Sequence, residues 1–230
     1  MIISHEHKFI FLKTKKTAGT SIELALSQFC GPDDVITPLA PADEALRYGG
    51  RCAQHWRLHG WWGSPRPFWK RRFLKTNSED YGFYNHIPAE RTKALLDDDK
   101  IWRSYFKFAF DRNPWDRQVS WYHHHFRRKS TPPPFAEFIR SDRRARIDNY
   151  DIYSIGGDVA VNFVGRYESL EEDLKRALAQ VGLALNSALP RAKGTFRRSA
   201  APYREYYDGD TLAIVGDWYE REIKLLGYAF

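Results

Sequence analysis

The sequence predicts an α/β protein with a mostly parallel central sheet and helices on both faces, arranged in three layers. Three segments each consist of an apolar strand, a short polar loop and an amphipathic helix, with the strands near residues 9–12, 105–110 and 162–167. Repeated units of this kind connect through right-handed crossovers, which makes the strands parallel. A chain of 230 residues suits one large α/β domain, so we expect residues 1–230 to form a single domain.

The first unit contains a basic loop that leads into a helix. Lys13, Lys15 and Lys16 lie within this loop, directly after the first strand. Thr20 followed by Glu23 fits a capping box, which predicts that the helix begins near Thr20. A helix N-terminus presents unpaired N–H groups and a partial positive charge. Together with the lysines, it predicts a site for a phosphate or a sulfate.

The second unit ends its strand at Asp111 and begins its helix with Asn113 as N-cap and proline in the first turn. Arg112 lies in this loop, and Ser120 lies two turns into the helix with its side chain leaning back toward the same place. An arginine fork with a hydroxyl suits a phosphate monoester. Because ligands bind beyond the carboxyl ends of parallel strands, the loops at 14–19, 111–113 and 167–168 should share one edge.

The third unit and the C-terminal segment complete the predicted helices. A capping box formed by Ser169 and Glu172 predicts the start of the helix behind the third strand, and Gly182 its end. A helix with proline in its first turn is predicted over 88–96, and a last helix over 210–226. Residues 51–73 are basic and aromatic without a clean period, which predicts an irregular insertion.

Composition restricts the partners and the compartment. The chain has 36 basic and 29 acidic residues, a net charge of +7 that favours an anionic partner. Two cysteines suggest neither a disulfide framework nor a thiolate zinc site. We find neither a signal-peptide pattern nor an apolar run near the ~18 residues of a membrane helix, and therefore expect a cytoplasmic protein.

Two loops carry a resemblance to a known family. KTKKTAGTS (13–21) and FKFAFDRNPWDRQVSWY (106–122) resemble the two cofactor signatures of sulfotransferases that use 3′-phosphoadenosine 5′-phosphosulfate (PAPS). The resemblance is closest to the carbohydrate-type group of bacteria and the Golgi, which includes heparan 2-O-sulfotransferases. It continues through 163–183 and 201–230. It implies a P-loop-NTPase-like sulfotransferase fold and PAPS as the sulfate donor, with no metal.

The resemblance also implies roles for individual residues. Lys16 is expected to neutralise charge on the bridging oxygen, Arg112 and Ser120 to hold the 3′-phosphate, and Tyr167 to line the adenine pocket. The basic loop with Lys193, Arg197 and Arg198 is expected to close over the nucleotide. The full set of expected cofactor-binding residues is Lys13, Lys15, Lys16, Thr17, Ala18, Gly19, Thr20, Ser21, Arg112, Ser120, Tyr167, Lys193 and Arg197.

Two positions depart from the usual signatures. Lys15 stands where proline is usual and should add positive charge to the loop. Asp111 stands before Arg112 where an apolar residue is common. We expect Asp111 to pair with an arginine, which would limit the freedom of Arg112 to bind phosphate.

Transfer to a hydroxyl also needs a base. His86 precedes a predicted helix at a place similar to that of the catalytic histidine of carbohydrate sulfotransferases. An imidazole can take a proton near neutral pH, so His86 is the predicted catalytic base beside Lys16. Glu90 and Asp80 are weaker alternatives.

His123, His124 and His125 are consecutive in a helix and point about 100° apart, so they cannot bind one metal ion together.

The acceptor is the least determined part of the prediction. Aromatic and basic residues of the insertion could stack on sugars and meet acidic groups, or could pack on the core. They are Trp56, Arg57, Trp61, Trp62, Arg66, Trp69, Arg71 and Arg72.

We therefore predict a PAPS-dependent sulfotransferase whose acceptor is a hydroxyl on a carbohydrate or glycolipid. One alternative is a P-loop kinase of a small molecule, although the sequence lacks the Gly-x4-Gly-Lys-[Ser/Thr] motif. Another is a nucleic-acid-binding module, suggested by the basic charge and the interspersed aromatic residues. That alternative does not explain two anion sites at helix N-termini, so we expect no nucleic-acid partner.

Overall fold

The computed structural model describes residues 1–47, 49–58, 82–185, 188–190 and 201–230. Among them, a central sheet has five strands in the order β3-β1-β2-β4-β7. These strands are β1 (Ile2–Ser4), β2 (Phe9–Leu12), β3 (Val35–Ile36), β4 (Phe106–Asp111) and β7 (Phe163–Arg166). A separate two-stranded hairpin consists of β5 (Ser154–Ile155) and β6 (Asp158–Val159).

Four of the five central strands run in the same direction. β2 pairs in parallel with β4, and β4 pairs in parallel with β7. β1 lies antiparallel between β2 and β3, so β3 also runs in the direction of β2. The predicted mostly parallel sheet is confirmed, and all three predicted strands belong to it. β1 and β3 are additions that the sequence did not predict.

The helices of the described residues connect and cover these strands. They are α1 (Gly19–Leu26), α2 (Pro41–Glu44), α3 (Ala89–Leu95), α4 (Asp99–Ser104), α5 (Pro114–His125), α6 (Phe135–Ser141), α7 (Tyr150–Tyr153), α8 (Leu170–Ala179), α9 (Gly209–Trp218) and α10 (Glu220–Leu226). The helix predicted over 88–96 corresponds to α3. Asn113 caps α5 as predicted, since its Oδ1 accepts from the Trp115 N–H at 3.1 Å.

Alternate side chains of the strands pack on opposite faces of the sheet. On one face, the phenylalanines of β2 and β4 pack against α1 and α8, with Ile22 and Leu174 buried among them. On the other face, Ile10 and Ala109 are buried with residues of α3, α4 and α7. Helices therefore cover both faces. A third apolar cluster lies among α5, α6 and α9.

The last predicted helix was wrong in its continuity, and the capping box predicted at Ser169 was wrong. The last helix is not continuous over 210–226, because α9 ends at Trp218 and α10 starts after Tyr219. Tyr219 is fully buried, and its hydroxyl accepts from the Ile147 N–H, which favours its non-helical backbone. The predicted start of α8 directly after Ser169 is confirmed, but Ser169 does not cap the helix, since its hydroxyl bonds to Asp173 at 2.9 Å.

The predicted insertion lies mostly outside the described residues. Within residues 51–58, Gln54 forms an antiparallel bridge with Ile36 at the edge of the sheet. Arg57 forms a similar bridge with Gly82. No helix in the described ranges is both long enough and apolar enough to cross a membrane.

Candidate functional site

The carboxyl ends of β2, β4 and β7 open into one cleft of about 1300 Å³. All residues of the 13–21 loop line it. Arg112 and Ser120 contribute from the second unit, and Tyr167 contributes from the third. His86 lines the same cleft from the segment before α3. The structure thus brings together His86 and all the predicted cofactor-binding residues that it describes.

The loop after β2 turns sharply into α1. Lys16 and Ala18 have left-handed backbones, with φ of 64° and 58°. The predicted capping box is wrong, because α1 begins at Gly19 and no side chain of the described residues caps it. Thr20 lies inside the helix, and Glu23 is drawn instead to the buried ammonium of Lys13. The N-terminus of α1, with its partial positive charge, therefore lies at the wall of the cleft.

The three loop lysines differ in position. Lys13 is 5 % exposed, and its Nζ donates to Glu23 at 2.5 Å and to Asn85 at 3.3 Å. Its stem packs so closely that a Cβ at Gly19 would lie 2.6 Å from the Lys13 Cγ. Lys15 and Lys16 are only half-buried. Lys13 therefore supports the loop through buried contacts, whereas the side chains of Lys15 and Lys16 are more accessible.

Thr14 and Thr17 hold the loop together. Their hydroxyl oxygens lie 2.7 Å apart, and both residues are about 1 % exposed. The Thr14 hydroxyl also donates to the carbonyl of Phe110 at the end of β4. The Thr17 side chain therefore points into the protein, and its predicted contact with the cofactor would come from its backbone.

Arg112 lies between the two loops with its side chain well fixed. Its Nε and Nη2 donate to Asp116 at 2.8 and 2.5 Å, and its Nη1 donates to the Lys16 carbonyl at 3.3 Å. The guanidinium stacks over the ring of Tyr167 at 4.0 Å. These bonds use three of the five N–H donors of the guanidinium. Asp116, which sequence analysis did not predict as a site residue, therefore orients Arg112.

Asp111 pairs with an arginine as expected, but the arginine is Arg117. The Arg117 Nη1 donates to Asp111 at 2.5 Å, and its Nη2 donates to Glu222 at 3.2 Å. Arg117 is fully buried, and its guanidinium lies over the ring of Tyr219 at 4.3 Å. Burial by itself lowers the pKa of Arg117, but its acidic partners outweigh burial and raise it above the ordinary value. Asp111 therefore accepts a hydrogen bond from the backbone N–H of Arg112 and does not bind the Arg112 side chain.

His86 faces the cleft from a left-handed backbone, with φ of 63°. Its Nδ1 lies 3.0 Å from the Lys13 carbonyl. A carbonyl only accepts, so Nδ1 carries the proton and Nε2 keeps its lone pair. Burial, followed by the positive charge of Lys13, lowers the pKa of His86 to about 3. His86 is therefore a neutral imidazole at neutral pH.

Comparison with known proteins identifies the family. A family model described as the sulfotransferase family matches residues 1–229. The chain belongs to the sulfotransferase family. An uncharacterized protein of Archaeoglobus fulgidus is 35% identical over 88 residues, which are 36% of this chain and 73% of that protein. No solved structure matches the chain. Family membership makes this protein a transferase of sulfuryl groups.

The three consecutive histidines of this sulfotransferase point apart, as helical geometry predicts. His123 lies 2.9 Å from the Tyr206 hydroxyl, His124 lines the cleft, and His125 lies 3.8 Å from Asp142. In the ranges that the structure describes, no group of three or more His, Cys, Asp or Glu side chains could hold a metal ion.

Of the remaining predicted residues, those that the structure describes do not line the cleft. Glu90 is exposed on α3 and does not line the cleft. Arg57 stacks over Trp56 at 4.5 Å, beside a separate shallow depression. The other predicted residues lie outside the described part of the sulfotransferase: Asp80, Lys193, Arg197, Arg198, and the insertion residues Trp61, Trp62, Arg66, Trp69, Arg71 and Arg72.

Sequence analysis missed three residues that support the site: Asp116, Arg117 and Asn149. Arg117 could have been found, because it is the second arginine of the segment FKFAFDRNPWDRQVSWY, which carries the family resemblance. Asp116 is one turn from Arg112, a spacing at which opposite charges pair on helices. Asn149 has no such local signal, because its partner Lys15 lies 134 positions away.

Proposed function

We propose that this sulfotransferase moves the sulfuryl group of PAPS to a hydroxyl of an acceptor, which is a saccharide or a glycolipid. The observation that carries this proposal is the single cleft onto which both anion-binding loops and His86 open. The acceptor class rests on the resemblance of both loops to the carbohydrate-type group. Trp121 also supports this acceptor class, because its indole lies in the cleft wall and sugar rings stack on indole rings.

The residues present fit PAPS. The 5′-phosphosulfate carries several negative charges, which suit Lys16 and the N-terminus of α1, an end that no described side chain caps. Arg112 has two N–H donors beyond those that Asp116 and Lys16 use, and Ser120 adds a hydroxyl in the same wall. Those two residues would hold the 3′-phosphate, and Tyr167 would lie beside the adenine. PAPS supplies the activated sulfuryl group.

The chain's own residues would supply the proton transfer and the charge stabilisation. The Nε2 of His86 would accept the proton from the acceptor hydroxyl as its oxygen attacks sulfur. Lys16 would stabilise the negative charge that develops on the departing phosphate oxygen. Because the positive charge of Lys13 helps to lower the pKa of His86, nearby donor anions would raise it toward the working range.

The proposal predicts binding of the 3′,5′-bisphosphate product without magnesium. Calorimetry should detect this binding, and the bisphosphate should raise the melting temperature more than Mg·ATP does. Lys16→Ala should weaken it by about tenfold or more, because a charge-assisted bond to phosphate is lost. Turnover is measured as bisphosphate release from PAPS with candidate saccharides.

Lys8→Ala is the matched control for Lys16→Ala. Lys8 lies at the other end of β2, is exposed, and has a left-handed backbone with φ of 54°. Its replacement should leave bisphosphate binding unchanged. Stabilisation by Mg·ATP alone would restore the kinase alternative. Equal losses in the two variants would show that Lys16 acts only through net charge.

A further inference from the structure

Asn149 is a fully buried amide outside both cofactor signatures. It directly precedes α7, and its side chain meets the backbone of Lys15 on both sides. Its Oδ1 accepts from the Lys15 N–H at 2.8 Å, and its Nδ2 donates to the Lys15 carbonyl at 3.0 Å. Since the N–H can only donate and the carbonyl can only accept, these contacts fix the orientation of the amide.

The same amide is tied to the end of β4. The Nδ2 of Asn149 also donates to Asp111 at 3.1 Å. Asp111 is fully buried and held in turn by Arg117 at 2.5 Å and by the Tyr153 hydroxyl at 2.9 Å. Asn149 therefore connects the first signature loop to the strand that carries the second one.

This connection falls beside the most unusual backbone in the loop. Lys16 and Ala18 both have left-handed φ values, which residues other than glycine adopt only when the surrounding structure holds them there. The Lys15 peptide groups, which Asn149 clamps, immediately precede Lys16. By fixing the Lys15 backbone, Asn149 therefore also fixes the direction of the Lys16 side chain and of the first turn of α1.

We propose that Asn149 is a positioning residue for the donor loop: it holds Lys15 so that Lys16 and the N-terminus of α1 face the donor anions. This role rests on the proposed function, because it requires the donor to bind at that loop. The amide suits the task better than other side chains. An aspartate would lose both donors and place a second carboxylate against Asp111.

The test compares two substitutions with a matched control. Asn149→Ala removes the clamp, and Asn149→Asp keeps the shape and the acceptor for the Lys15 N–H but replaces the Nδ2 donor with an acceptor. Tyr153→Phe removes one buried bond to the other oxygen of Asp111 without a contact to the loop. Calorimetry measures the Kd of the bisphosphate product for each, and thermal unfolding measures their stability.

We expect Asn149→Ala to raise the bisphosphate Kd by about tenfold or more, since two hydrogen bonds that order the loop are lost. Asn149→Asp should raise it further, and Tyr153→Phe should stay within about twofold of the wild type. A purely structural role would lower the melting temperature of all three variants with little change in Kd. Unchanged Kd in folded Asn149 variants overturns the proposal, whereas failure of the wild type to bind bisphosphate overturns the proposed function.

Hydrogen exchange on the wild type provides a measurement that does not depend on variants. The Lys15 amide should exchange slowly although it lies in a loop, because it donates to a buried acceptor. Bound bisphosphate should slow its exchange further. If the Asn149 variants do not fold, exchange of this amide at the rate of an exposed loop overturns the proposal.

Discussion

His86 offers the sharpest test of the site, because its environment sets both its protonation and its role. Asparagine is the suitable replacement, since it tolerates the left-handed backbone that His86 adopts, with φ of 63°. His86→Asn removes the basic Nε2 and the titratable group together. It should abolish turnover while leaving the affinity for the bisphosphate product nearly unchanged. Activity that survives would remove His86 from the role of base.

The same substitution has a calculable effect on stability. The pKa of His86 is about 3 in the folded protein, against 6.5 for an ordinary histidine. Below pH 6.5 the unfolded chain takes up a proton that the folded protein does not, so acid lowers the free energy of unfolding. The slope is at most about 1.4 kcal/mol per pH unit, which gives up to about 2 kcal/mol by pH ~5. Above the unfolded pKa this contribution is constant.

Urea unfolding of wild type and His86→Asn between about pH 7 and pH 5 measures this difference. The wild type should lose more stability than the variant as the pH falls. His55→Asn is the control, because His55 also has a left-handed backbone, with φ of 50°, but is exposed. Parallel pH curves for wild type and His86→Asn would refute the low pKa and the burial that causes it.

Two further predictions concern the support of the cleft. Gly19→Ala should cost about 1–3 kcal/mol of unfolding free energy and weaken bisphosphate binding, because its Cβ would lie 2.6 Å from the Lys13 Cγ. Gly216→Ala, inside α9, should stabilise the protein in the same thermal assay, because its Cβ meets Trp115 only at 3.7 Å. Arg117→Met should cost about 3–5 kcal/mol in urea unfolding, since it leaves two buried carboxylates without their cation. Arg103→Ala, which breaks an exposed ion pair, should leave the urea midpoint nearly unchanged.

The parts of the fold with strong local signals were predictable from the sequence. β4 is a run of buried apolar residues, and an Asn-Pro pair marks the start of α5. β1 and β3 have only three and two residues, too few to show a period. They form because β1 finds partners on both sides in the folded sheet, which no local pattern encodes.

The capping box shows how a tertiary contact overrides a local motif. Thr20 and Glu23 have the right spacing, but Glu23 is fully buried and bonded to Lys13. Leaving the buried Lys13 ammonium or the buried Glu23 carboxylate without its partner would cost more than a helix cap contributes. The sequence could not show that Lys13 would be buried, since it counts as one of three similar lysines.

For the candidate site, the positions of several residues were predictable from the sequence, but the contacts that orient them were not. The positions of Lys16, Arg112 and Ser120 on one cleft were predictable from the strand–loop–helix order, and that of His86 from the family resemblance. The contacts that orient them were not, because they join residues far apart in the sequence. Asn149 meets Lys15 across 134 positions, and no spacing rule reaches that far.

The two signature loops are joined directly as well as through Asn149. The Thr14 hydroxyl donates to the Phe110 carbonyl, and Arg112 donates to the Lys16 carbonyl at 3.3 Å. Beneath them, β2 and β4 pair as neighbouring parallel strands, with Leu12 opposite Ala109. Two loops built on adjacent, cross-linked strand ends cannot move apart independently. Their separation is therefore a fixed property of the sheet, and under the proposed function a ligand with two anionic groups at that separation would bind both loops without reorganising either one.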